Sequence, residues 1–234
     1  GSKTPVEMAS LPSFTRHLNL LLIAQSLAGS SSAVTFLVSG FIGTRLAPAR
    51  ALATLPMSTF VIGVAVSSSL AAWTMSRAGR KRAHLMGVLA AAVGAVLAGV
   101  SLLLQSFWGY SASCTLLGLG TAFTNQIRFT AAEAAPPEEK GLVHSSILMC
   151  GLFAAILGPG IAALGRHLVP ASYAPGGSTE YVGSFVLLTG ILCLALAALA
   201  FLPVVPAPVS ENLHTEKSDR FGRVLKAPEF WLAG

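Results

Sequence analysis

The stretch "SRAGRKRA", Ser76 to Ala83, places Arg77, Arg80, Lys81 and Arg82 within six positions. The whole chain has only fifteen Lys and Arg. On its N-terminal side lies an apolar run from about Thr54 to Met75, and on its C-terminal side another from about Leu85 to Leu104. Each is long enough to cross the hydrocarbon core of a bilayer as a helix, which takes about 20 residues. A tight basic cluster between two such runs reads as a turn held on one side of a membrane.

Composition supports that reading. Charged residues are 10% of the chain, against about 25% in soluble domains. Hydrophobic residues are 53% and the mean hydropathy is +0.71. A soluble fold of this size would expose large apolar patches, so the bilayer is the expected solvent. The net charge of +6 does not mark a nucleic-acid protein, because the basic residues fall in gaps between apolar runs and not on one polar face. Cys114, Cys150 and Cys193 each lie inside an apolar run, form no CxxC pair and read as small hydrophobes.

Six runs qualify as spans: about Leu18–Ile42, Thr54–Met75, Leu85–Leu104, Phe107–Ile127, Val143–Leu164 and Tyr181–Leu202. The first is too long for a signal-peptide core and is expected to be retained. With the N-terminus inside, the cytoplasmic segments hold Lys3, Arg16, the four charges of the cluster, Arg128, Lys140, Lys217, Arg220, Arg223 and Lys226. Only Arg45, Arg50 and Arg166 fall outside. Lys and Arg concentrate in cytoplasmic loops, so both termini are expected in the cytoplasm, in a multi-pass protein of a bacterial inner membrane.

The expected organisation is therefore a cytoplasmic segment at 1–17 and a six-helix membrane bundle at 18–204. A cytoplasmic loop follows at 205–226, and the start of a truncated seventh helix at 227–234. Gly1-Ser2 reads as the scar of a cleaved tag. Six spans plus a polar loop suggest half of a larger assembly.

Polarity differs among the spans. Span one carries Gln25, Gly29, Ser32, Thr35 and Ser39, stepping by four, three, three and four. Span four carries Cys114, Gly118, Thr121, Asn125 and Arg128 at similar steps. Both sets lie on one helical face. Spans three and six are nearly featureless. Polar groups inside a membrane face the bundle interior or a water-filled cavity, so spans one and four are expected to line a path and spans three and six to face lipid. That correspondence fits an inverted three-plus-three repeat; small polar residues gluing helices together is the competing explanation. The candidate path residues are Gln25, Ser32, Thr35, Thr121 and Asn125, with Met149 on span five. Arg128 and Glu133, five residues apart, stand about 140° apart on a continuous helix. A direct bond between them needs a bend.

Within "AAWTMSRAGRKR" at 71–82, Arg77, Gly79, Arg80 and Lys81 match the signature between spans two and three of major facilitator superfamily transporters. Ala72 stands where that family has Gly, and Ser76 where it has Asp. "LGPGIAALG" at 157–165 is similar to the Gly-Pro motif of antiporters; Pro159 beside Gly158 also marks a candidate hinge. Gly118 and Gly120 match a Gly-rich motif of span four, but Cys114 replaces its Arg. "ALATLPMS" at 51–58, "IRFTAAEAAPPEEKG" at 127–141 and "AAILGPGIA" at 154–162 resemble the copper- and riboflavin-importing bacterial branch.

The resemblance implies an all-α N-terminal bundle of six transmembrane helices, an inverted 3+3 repeat. It implies a secondary transporter working by alternating access, importing a metal such as copper or a riboflavin-like molecule. Arg77, Gly79 and Arg80, with Arg128 and Glu133, would form its cytoplasmic gate. No cofactor is implied, and the metal question stays open, since Met57, Met75, Met86 and Met149 form no Met-x-x-x-Met pair. The expected partners are the bilayer, a small solute or metal ion, and a second six-helix bundle, as a C-terminal half or a second copy. A drug/proton antiporter is the alternative within the family. A channel would need a filter, for which "PASYAPGGSTEY" at 170–181 is the one loop long enough. An enzyme is not expected, because no nucleophile, base or metal set converges.

Overall fold

The computed structural model describes residues 5–129, 140–168 and 179–201, with side chains from Asn19 onward. The chain divides into two compact units, Gly1–Pro203 and Val204–Gly234, and the described residues belong to the first. They form six long helices: α1 Pro5–Leu46, α2 Leu55–Ala78, α3 Arg80–Leu103, α4 Phe107–Asn125, α5 Lys140–Gly165 and α6 Val182–Ala200. Short 3-10 turns at Arg50–Leu52 and Thr179–Tyr181 precede α2 and α6. No strand occurs among the described residues.

Five helices are long and apolar enough to cross a membrane by length and composition. The exception is α4, whose Ser, Thr, Gly and Asn content lowers its hydropathy. Its burial explains the composition: α4 packs against α1, α2 and α3 at once, so its polar side chains meet protein instead of lipid. By contrast α3 turns small residues inward and large ones outward. Ala91, Ala95, Ala98 and Gly94 are buried, while Leu89, Val93, Val96, Val100 and Leu103 are exposed. Small inward surfaces let helices approach closely where lipid, being as apolar as leucine, supplies no hydrophobic drive.

The helix neighbours repeat. α2 and α3 pack on α4, just as α5 and α6 pack on α1, while α1 meets α4 and α3 meets α6 at the centre. Exchanging helices 1, 2, 3 for 4, 5, 6 reproduces this network. Each flank is a parallel pair. Thr59 Oγ1 donates to the Ser111 carbonyl at 2.9 Å, and Gly63 faces Thr115 further along. On the other flank Gly29 faces Ala154 and Gly158 faces Ala33. Successive crossings alternate direction, so corresponding helices run oppositely. This is the inverted 3+3 arrangement that the polarity pattern implied.

The basic cluster is tighter than a loop. α2 ends at Ala78 and α3 begins at Arg80, with Gly79 alone between them at φ +82° and ψ 157°. Only glycine adopts that geometry without strain. Arg80, Lys81 and Arg82 thus form the first turn of α3, extending that helix five residues beyond the apolar run. The backbone of α1 likewise begins at Pro5, well before the run at Leu18.

Candidate functional site

The polar stripe of α1 divides along its length. Gln25 and Ser32 are half-buried, whereas Thr35 and Ser39 are fully enclosed. At the enclosed end Ser39 Oγ lies 3.0 Å from Tyr110 Oη and 3.6 Å from Cys114 Sγ, tying α1 to α4. Cys114 and Gly118 of the α4 stripe therefore serve packing, Gly118 lying against the Phe60 carbonyl. Thr121 is buried and donates to the Leu117 carbonyl at 2.9 Å. Thr35 donates to Ser31 at 2.6 Å, and Ser32 to Gly29 at 2.9 Å. These hydroxyls are satisfied by their own helices.

Gln25 differs. Its Oε1 is buried and has no hydrogen-bond partner. Such an amide oxygen costs about 1–3 kcal/mol where water is excluded. The α1–α5 register, 29 with 154 and 33 with 158, sets Gln25 level with Cys150, next to Met149. Met149 itself is 54% exposed. Asn125 is half-buried at the end of α4. Along antiparallel α1 and α4, Gln25 and Asn125 each lie about 20 Å from the Ser39–Tyr110 contact, at 1.5 Å per residue. They share one level of the bundle, towards its basic end. Thr121 lies one turn nearer the contact, and Ser32 and Thr35 lie nearer still.

At the basic end, the Arg77 guanidinium stacks 4.7 Å from the Trp73 ring centroid. Ser76, in the position where the family signature has Asp, turns its hydroxyl back to the Trp73 carbonyl at 2.7 Å. Lys81 Nζ donates to the Ala200 carbonyl at 2.9 Å, capping α6. α4 stops at Asn125, and Arg128 Nε turns back to the Asn125 carbonyl at 3.0 Å, with its guanidinium 5.6 Å from the Phe129 ring. Glu133 lies outside the described residues. α5 continues through Pro159 to Gly165, and Gly158 rests against Ala33.

Two features escaped the sequence reading. His84 is fully buried in the α3–α4 seam and hydrogen-bonded to the Phe123 backbone. The small residues Gly87 and Gly120, which make that seam close, were its only signal. At the opposite end, Glu180 pairs with Arg45 at 3.5 Å and with Arg166 at 3.2 Å. Tyr181 stacks on Phe41 at 5.9 Å beside them. Two of the three cations expected outside are thus paired to a single acid. Among the described residues no cluster of three His, Cys, Asp or Glu could hold a metal.

The Major Facilitator Superfamily profile matches residues 16–234. The chain belongs to the Major Facilitator Superfamily. This superfamily chain is 29% identical over 218 residues to the riboflavin transporter RfnT of Brucella anthropi, covering 93% of this chain and 53% of that protein. It is 24% identical over 221 residues to the uncharacterized MFS-type transporter YdeG of Bacillus subtilis, covering 93% and 50%. The xylose transporter XylE of E. coli, solved in an inward-open conformation, superposes with a TM-score of 0.61 at 16% identity, covering 93% of this chain and 57% of XylE. That likeness shows the fold. The chain spans about half the length of the curated relatives it matches. Family membership agrees with the membrane-crossing length and apolar composition of its helices.

Proposed function

We propose that this chain forms the N-terminal six-helix half of a secondary active importer of a riboflavin-like solute. A second six-helix bundle completes it, and the two rock about a site between them. The observation that carries the solute class is the likeness to a riboflavin transporter across 93% of the chain. Gln25 supplies the chemistry: its unpartnered Oε1 suits a donor such as the ureide N–H of a flavin ring. Asn125, at the same level on α4, offers a second amide. Ser32, Thr35, Thr121 and Met149 extend that face of the path.

Arg77, Gly79, Arg80, Arg128 and Glu133 form the cytoplasmic gate of this reading, and the bend potential at Gly158-Pro159 supplies a hinge. The Lys and Arg distribution supports a reading with both termini in the cytoplasm.

The test is uptake of labelled riboflavin by riboflavin-auxotrophic cells carrying the full-length protein. Gln25→Leu should lower uptake about tenfold while thermal stability stays equal or rises, because it removes an orphaned buried oxygen. Asn125→Ala should also reduce uptake. Wild-type uptake no greater than that of empty cells would overturn the solute class. Unchanged uptake in Gln25→Leu would remove Gln25 from the site.

A further inference from the structure

Because α2 and α3 both pack closely along α4 but touch each other little, a cleft opens between them at the basic end. Its volume is about 700 Å³, within the range of small-molecule and cofactor sites. Phe123 and Thr74 floor it and are buried, and Thr74 spends its hydroxyl on the Leu70 carbonyl at 2.7 Å. Trp73 and Met86, 54% and 56% exposed, form its walls. Arg77 and Arg82 stand at its rim. The cleft is apolar along its depth and cationic at one end.

The placement of Arg82 is informative. It lies in the first turn of α3, where the helix dipole disfavours cations. It makes no ion pair among the described residues. Among the described residues Arg77 has the Trp73 ring as its partner and no carboxylate. Topology alone would explain positive charge at this end, but not an apolar cleft directly beneath it. A ligand matching the whole shape has an anionic head and a long hydrocarbon tail, and it must be abundant where these helices sit. Trp73 adds an interfacial aromatic, the kind of side chain that sits at headgroup level.

We propose that the α2–α3 cleft binds an anionic phospholipid, its phosphate between Arg77 and Arg82 and one acyl chain along Trp73 and Met86 over Phe123. The site is separate from the solute path and independent of which solute is carried. Bound lipid would fill the gap between two helices that pack little against each other, which makes this end of the bundle sensitive to membrane charge.

The test uses the purified full-length protein in phosphatidylcholine vesicles containing either brominated phosphatidylglycerol or brominated phosphatidylcholine. Quenching assigned to Trp73 is the difference between the parent and Trp73→Phe. Phosphatidylglycerol should quench Trp73 at about fivefold lower mole fraction than phosphatidylcholine, the preference expected from roughly one added cationic contact. Arg82→Gln should abolish that preference and Arg82→Lys should keep it. Trp108, exposed at the far end, should show no preference when assigned in the same way. Three results would overturn the proposal: equal quenching by both lipids, a preference that survives Arg82→Gln, or a Trp73 that neither lipid quenches. The last would mean that a protein segment, such as a helix of the second bundle, covers the cleft.

Discussion

The two flanks of the bundle occupy equivalent places in the repeat, yet different contacts close them. Between α2 and α4, backbone meets backbone: a Cβ on Gly63 would strike the Thr115 carbonyl, and one on Gly118 would strike that of Phe60. The Thr59–Ser111 hydrogen bond reinforces the same seam. Between α5 and α1, side-chain methyls intervene. A Cβ on Gly29 would meet Ala154 Cβ at 3.3 Å, and Gly158 rests on the Cβ of Ala33. That flank is clasped at its far end by Glu180, which joins Arg45 in the last turn of α1 to Arg166 just after α5. The clasp residues are two-fifths to half exposed. Inverted topology therefore fixes which helices are neighbours and leaves open how tightly they meet. One flank is sealed by backbone contact along its length, the other by a close contact at Gly158, a looser one at Gly29 and a wet ionic bridge.

The sharpest way to break this contrast is to add one methyl to each seam. Gly118→Ala should destabilise the protein by about 3 kcal/mol, since its new atom meets backbone that cannot rotate away. Gly29→Ala meets only another methyl and gains helix propensity, so it should fall within about 1 kcal/mol of neutral. Melting temperatures of the two variants in one detergent decide it, and equal losses would mean that the flanks are equivalent after all. At the centre, Ser39→Ala should cost about 1 kcal/mol by depriving the buried Tyr110 hydroxyl of its partner. Adding Tyr110→Phe should recover part of that loss, which a double-mutant cycle measures. The smallest effect belongs to the clasp. Glu180→Gln should cost under about 1 kcal/mol and lose that difference in high salt, because both pairs are exposed. A larger, salt-independent loss would place the clasp among the forces that hold the second flank together.

How much of this was legible in the sequence depends on which physical constraint did the work. The bilayer demands about 20 apolar residues per crossing, so the helices were visible as runs, and the match of polar spans one and four exposed the repeat. The site was harder. A stripe at helical spacing looks the same whether it faces a solute path or a neighbouring helix, because both need small or polar groups every three to four residues. Cys114, Gly118 and Ser39 turned out to be packing. Gln25, on the same stripe as Ser39, kept a buried oxygen without a partner. Nothing in the spacing separates those two fates.

By itself, then, the sequence determined the number of long helices, their alternating direction and the end at which charge gathers. These are local consequences of hydropathy and of one glycine at position 79. Only the tertiary structure decided that α4 packs against three helices at once and that His84 lies fully buried. Only it showed that Glu180 gathers two distant arginines, and that α2 and α3 part to leave a cleft beneath Arg77 and Arg82. The reason is physical. Burial in a membrane bundle is set by which neighbour each face meets, and that depends on close contacts between residues dozens of positions apart, such as Gly118 with Phe60.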